Sequence, residues 1–150
     1  MEGIRDKVAI IGMGCCKFGE NWNKSVEDMM IDAAYEAYED AGVGPEDIQA
    51  AWFGTSHSGT SGLALSQPLH LPYMAVSRLE NACATASDAL RNACYGVAAG
   101  IYTMVMALGV EMEGLRAVMV MVPSSQGARS STSQMYLGPP RGVIVGPVKV

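Results

Sequence analysis

The run Glu80-Asn81-Ala82-Cys83-Ala84-Thr85-Ala86-Ser87 puts a cysteine where a thiol can do covalent chemistry. Met74–Leu79 before it reads as a strand, and a helix is expected from about Ala84 to Ala99. Cys83 therefore falls in the turn that opens the helix. Unpaired N–H groups and the helix dipole there favour a thiolate, the reactive form. Ala82, Ala84 and Ala86 are small and leave a ligand room to approach. The ordinary fate of a cysteine is to act as a small buried hydrophobe. The strand-to-helix position raises the nucleophile reading to equal standing with it.

The other chemically capable residues are less suggestive. Cys94 lies eleven positions after Cys83, on roughly the same helical face, and reads as core. Cys15 and Cys16 are adjacent, a poor spacing for chelation, so no metal is expected. His57 and His70 read as surface histidines, because nothing in the sequence brings them to Cys83. Gly12-Met13-Gly14 has the first two glycines of a dinucleotide fingerprint. The third position is Lys17, however, and no helix follows until Ser25. The methionines are expected to fill the core.

Around Cys83 the elements alternate. Lys7–Gly12 reads as a buried strand ended by a glycine-rich turn. A helix begins at Ser25, with Glu27 and Asp28 in its first turn. Val26, Met29, Met30, Ala33, Ala34, Ala37, Tyr38 and Ala41 form one apolar stripe, and Gly42 with Pro45 stops the helix. Ala50–Gly54 is the next strand, Thr55–Leu71 a long polar loop, and Met104–Leu108 a fourth strand. This alternation argues for a mainly parallel α/β sheet. From Asn92 to Val110 there is no charge, but Gly96, Gly100 and Gly109 interrupt the stretch. A buried helix, turn and strand explains it better than a membrane span. The helix after Arg91 is small or apolar around most of its circumference and needs cover on every side. One sheet and one outer helix are too little to provide it, so an isolated chain should be unstable or oligomeric.

The charge pattern has a seam. Residues 1–113 carry 15 acidic and 6 basic side chains, a balance of −9, while residues 114–150 carry no acid and four basic ones. Fifteen of the last 37 residues are Gly, Pro, Ser or Thr. The ordered domain is expected over 1–113, with 114–150 a divergent Gly/Pro/Ser-rich tail, either naturally flexible or out of frame. Val118–Val122 and Val143–Val145 have strand character but no helix to pack against. The formal net charge of −5 gives no support to nucleic-acid binding. The start, Met1 to Lys7, has mixed charges and no apolar core, so no export signal is read and a cytoplasmic protein with reduced thiols is expected.

Arg78 to Arg91, with Asn81-Ala82-Cys83-Ala84-Thr85 at its centre, resembles the nucleophile segment of thiolases, especially the acetyl-CoA acetyltransferase and SCP2-type branch. Gly96–Gly100 and Ala107–Glu111 resemble its continuation. Val8–Gly12 and Asp40–Val43 resemble the family's opening strand and first helix. The likeness is collinear over about residues 5–113, and the Cys83 context is unlike the Ala-Cys-Ser-Ser pattern of ketosynthases. It implies the N-terminal half of an αβαβα layered fold, with a mostly parallel sheet, one outer amphipathic helix and one central buried helix. It also implies ping-pong acyl transfer, with Cys83 attacking an acyl-CoA thioester and no bound cofactor beyond that coenzyme A substrate. The resemblance further implies a homo-oligomer or a complementing C-terminal half. In the family a histidine of the C-terminal half, in a Gly-His-Pro type motif, activates the cysteine. Gly138-Pro139-Pro140-Arg141-Gly142 has no histidine, so that role is not carried over. A chain without that base is alternatively a non-catalytic subunit or inactive fragment that retains the fold.

Overall fold

The computed structural model describes residues 3–17, 21–111 and the strand at 116–123. In chain order the elements are β1 (Met13–Cys15), α1 (Val26–Ala41), β2 (Ala50–Gly54), α2 (Leu63–Ser66), β3 (Ala75–Leu79), α3 (Thr85–Ala98), β4 (Met104–Glu111) and β5 (Arg116–Pro123). The strands form one sheet in the order β1-β5-β4-β2-β3. β2 pairs in parallel with both β3 and β4, while β5 runs antiparallel to both β4 and β1. Four strands thus share one direction. The sheet is mostly parallel, and α1 and α3 lie on opposite faces of it.

Alternation along the strands sorts the core into two halves. Ala51 and Phe53 of β2, with Met106, Leu108 and Val110 of β4, pack under α1 against Met29, Met30, Ala33, Ala34 and Ala37. Ala50 of β2 and Val105 and Ala107 of β4 face the other way, against Ala89, Ala93, Cys94 and Val97 of α3. Three methionines, Met29, Met30 and Met106, are at most 1% exposed, which is the core-filling role their flexible side chains suit.

α1 begins and ends where its chemistry dictates. Ser25 and Asp28 close a capping box, Asp28 N–H donating to Ser25 Oγ and Ser25 N–H to the Asp28 carboxylate, and Gly42 closes the other end in the left-handed conformation at φ 67°. α3 spans its expected range. It buries Thr85, Ala89, Ala93, Cys94, Gly96 and Val97 against the sheet. Its opposite side, including Ser87, Arg91 and Tyr95, has no cover among the described residues.

Three expectations need correction. The first regular strand is Met13–Cys15, not Lys7–Gly12, where only Val8 and Ile10 make isolated bridges. The glycine-rich stretch is therefore strand rather than turn. A Cβ on Gly14 would stand 1.9 Å from the Ala33 carbonyl oxygen, so glycine lets β1 lie directly on α1. The N–H groups of Met13 and Cys15, on the outer edge of β1, donate to Asp40 and Glu36 of α1, each at 2.8 Å. Second, Thr55–Leu71 is not purely a polar loop. It contains α2 and sends Leu65 and Leu69 into the core, with 0% and 1% exposure. Third, the sheet does not stop at the charge seam, because β5 inserts between β4 and β1. β5 runs back antiparallel beside β4, and such a return needs no crossover helix. Val143–Val145 and the rest of the expected tail beyond Pro123 lie outside the described residues.

Gly14→Ala tests the β1–α1 contact. The added methyl meets backbone that cannot rotate away, and we expect a loss of about 1–3 kcal/mol, read as a lower urea midpoint at an unchanged slope.

Candidate active site

β2, β3 and β4 are parallel, so their C-terminal ends share one edge of the sheet, where α/β folds characteristically bind ligands. Three segments meet there: the loop Thr55–Gly59 leaving β2, the turn Glu80–Ala84 leaving β3, and Glu111 at the end of β4. Cys83 is exposed, at the centre of a 3₁₀ turn, Ala82–Ala84, that leads into α3.

Two glycines determine where that turn sits. Gly54 and Gly109 are register partners on adjacent strands, and together they make a flat patch beneath the first turn of α3. A Cβ on Gly54 would lie 3.1 Å from Thr85 Cγ2, and one on Gly109 would lie 2.9 Å from Ala86 Cβ. Any larger side chain would lift the start of α3, and Cys83 with it.

Thr85 then ties the turn together. Its hydroxyl accepts from Asn81 N–H at 2.8 Å and donates to the Ala82 carbonyl at 2.7 Å. Ala82 is held at φ +45°, a conformation costing a non-glycine residue about 1–2 kcal/mol. Its N–H donates to Glu80 Oε1 at 2.5 Å. Ala84 N–H bonds to the Asn81 carbonyl, and Thr85 N–H to that of Ala82. Within residues 81–85 only the Cys83 amide has no bonded partner among the described residues. An exposed thiol beside its own unbonded N–H can attack a carbonyl carbon and stabilise the oxyanion that forms.

The loop beside the turn is held from both sides. The Glu111 carboxylate accepts from the N–H groups of Ser56 and His57, each at 2.8 Å, and from the Thr55 and Ser58 hydroxyls at 3.2 and 3.3 Å. From β3, Arg78 donates to the carbonyls of Gly59 and Thr55 at 2.8 Å and of Ser56 at 3.0 Å. Burial opposes the charge on Glu111. The hydrogen bonds from His57, Ser56, Thr55 and Ser58 together outweigh it and hold the carboxyl below the ordinary value of 4.5.

Cys83 alone of the sequence candidates stands at this edge with a free thiol. No hydrogen bond joins His57 or His70 to it among the described residues; both imidazoles are on exposed residues. His57 contributes its backbone N–H to the Glu111 clamp, and His70 lies past α2 with φ +48°. Cys94 is core, and burial pushes its thiol pKa up. Cys16 is buried under α1. No three His, Cys, Asp or Glu side chains lie close enough to hold a metal ion among the described residues. Nor is any described helix long and apolar enough to cross a membrane. Glu111 and Arg78 were not singled out from sequence. The signal for Glu111 was its place as the first charge after the uncharged run Asn92–Val110.

Solved structures share this fold. The chain superimposes on 3-oxoacyl-[acyl-carrier-protein] synthase III from Aquifex aeolicus with a TM-score of 0.70 at 18% identity, covering 80% of this chain and 55% of that one. An acetyl-CoA acetyltransferase from Syntrophomonas wolfei gives a TM-score of 0.60 at 25% identity, over 69% of this chain and 28% of that one. The fold is thiolase-like. The family model described as "Thiolase, N-terminal domain" matches residues 8–137, and the chain belongs to the thiolase family. It is 38% identical over 115 residues to an acetyl-CoA acetyltransferase of Methanothermobacter thermautotrophicus, covering 72% of this chain and 30% of that protein. The chain thus spans under a third of the length of that curated relative.

The Glu111 clamp makes stability pH-dependent. A carboxyl whose folded pKa is depressed contributes stability above its ordinary value of 4.5 and loses it as pH falls through the lower folded value. Urea unfolding of wild type and Glu111→Gln across pH 3–7 should show a constant wild-type advantage near neutrality. That advantage should shrink steadily below about pH 4.5.

Proposed function

We propose that this chain carries the nucleophile of an acyl-CoA acyltransferase, with Cys83 as the residue that receives the acyl group. The observation that carries the reading is the exposed Cys83 thiol beside its own unbonded N–H, seated at the strand-to-helix turn of a thiolase-family sheet. The thiolate sulfur attacks the thioester carbonyl carbon. The tetrahedral oxyanion is met by the Cys83 N–H, the carbon–sulfur bond to coenzyme A breaks, and coenzyme A leaves as a thiolate that takes a proton from solvent. The acyl group stays on Cys83, ready for transfer to a second acyl-CoA carbanion or back to coenzyme A. The coenzyme A thioester is substrate, and the reading needs no other cofactor. A cytoplasmic setting suits a reduced nucleophilic thiol.

One observation favours a second reading, a non-catalytic subunit that keeps the fold. Among the described residues no side chain is placed to take the Cys83 proton. A second copy or a complementing C-terminal half would supply that base and cover the outer side of α3. Light scattering should then find the isolated chain associated. A monodisperse monomer that unfolds cooperatively would count against the need for cover.

The catalytic reading predicts a burst of coenzyme A release from acetyl-CoA at alkaline pH, with a 42-Da adduct (about the mass of an added acetyl group) on Cys83. Cys83→Ala should abolish both. Neither burst nor adduct on the wild-type chain would leave only the non-catalytic subunit.

A further inference from the structure

Glu80 lies between the two halves of the site, and the acyl-transfer reading gives it no role. Its Oε1 accepts the Ala82 N–H at 2.5 Å, and the same oxygen accepts the Ser56 hydroxyl at 3.4 Å. Ser56 belongs to the loop that Glu111 and Arg78 grip, through its N–H and its carbonyl respectively. A continuous path therefore runs from the end of β4, through the clamped loop and one carboxylate oxygen, to the residue before Cys83.

The geometry at Ala82 explains why such a path is needed. Ala82 has φ +45°, which glycine adopts freely and alanine does not. Thr85 fixes the neighbouring Asn81 N–H and Ala82 carbonyl, but neither bond restrains the Ala82 amide itself. Glu80 alone holds that N–H. If it let go, the peptide between Asn81 and Ala82 could relax toward negative φ. The Cys83 N–H, the next amide along, would turn with it while the thiol stayed exposed.

We infer that Glu80 is a positioning residue, aiming the Cys83 N–H by fastening the strained Ala82 amide to the Glu111–Arg78-clamped loop. The inference rests on Cys83 being the acyl acceptor and adds to it the residue that orients the oxyanion donor. It makes a distinction that a purely structural role does not. Acylation by a thioester passes through an oxyanion and needs the Cys83 N–H in place. Alkylation by iodoacetamide uses the same sulfur but forms no oxyanion, so it is indifferent to that amide.

The test measures both reactions on Cys83 of the full 150-residue chain by mass spectrometry, with acetyl-CoA and with iodoacetamide. Glu80→Ala should lower the ratio of acetylation to alkylation rate by at least about tenfold, since displacing a catalytic donor by an ångström costs up to a hundredfold. Glu80→Gln keeps the accepting oxygen and should stay within about twofold of wild type. Adding Ala82→Gly to Glu80→Ala should restore much of the ratio, because glycine needs no restraint to hold a positive φ. If Glu80→Ala does not fold by circular dichroism, Ser56→Ala, which cuts only the hydroxyl link, should lower the ratio in the same direction. An acetylated wild type with an unchanged ratio in the folded Glu80→Ala chain (or, failing that, in Ser56→Ala) would overturn this role and leave Cys83 as nucleophile. A wild type that is alkylated but never acetylated would overturn both.

Discussion

The start of α3 rests on Gly54 and Gly109, paired across β2 and β4, and the position of Cys83 follows from that contact. Elsewhere on this face the strands present Ala50, Val105 and Ala107, which also keep the helix close. At the glycine pair the separation falls to the limit set by Thr85 and Ala86. A side chain at either position would move the helix end outward before it moved anything else. The Cys83 turn is thus held to the sheet by an absence of atoms, and Thr85 ties it further by hydrogen bonds to Asn81 and Ala82.

The loop from β2 poses a different physical problem. Beyond Gly54 the backbone leaves the ladder, and its N–H and C=O groups lose their strand partners together. The two neighbouring strands supply replacements of opposite kind. Glu111 on β4 accepts the N–H groups, and Arg78 on β3 donates to the carbonyls. A carboxylate with two amide and two hydroxyl donors stays ionised despite burial, because each bond favours the charged form. The same bonds that satisfy its polar groups tie the loop to both neighbouring strands. From there the Ser56 hydroxyl reaches Glu80 of the turn beside it.

Much of this was legible in sequence where the signal was local. Ser25 with Asp28, Gly42, the stripe of α1 and the run Ala50–Gly54 each state their own structure, and the helix after Cys83 begins within a residue of its expected start. What was illegible depended on partners distant in sequence. The apolar run Val8–Gly12 looked more like a strand than Met13–Cys15, whose place depends on distant partners: the pairing with β5, the close approach of Gly14 to Ala33, and the Asp40 and Glu36 carboxylates. The polar composition of Thr55–Leu71 hid Leu65 and Leu69, two leucines that complete the core beneath α1. Val118–Val122 was recognisable as a strand. Its place between β4 and β1 was not, since an antiparallel return leaves no helical marker. The clamp was least visible of all. Arg78 and Glu111 bond to backbone atoms, and backbone partners carry no sequence signature.

The two faces of the sheet divide the work. Under α1 the core is built from large side chains, Phe53, Met29, Met30, Met106 and Leu108, which tolerate adjustment because methionine adapts its shape. Under α3 the fully buried side chains are small, alanines with Cys94 and the valines Val97 and Val105, and the larger Trp52, Leu79, Leu90 and Tyr102 pack around their margin. Small buried side chains bring α3 close to the sheet, and at its first turn, next to Cys83, the approach is limited by Gly54 and Gly109. The large side chains under α1 fill volume, whereas on the α3 face it is backbone approach that fixes where the helix begins, and Cys83 belongs to that face.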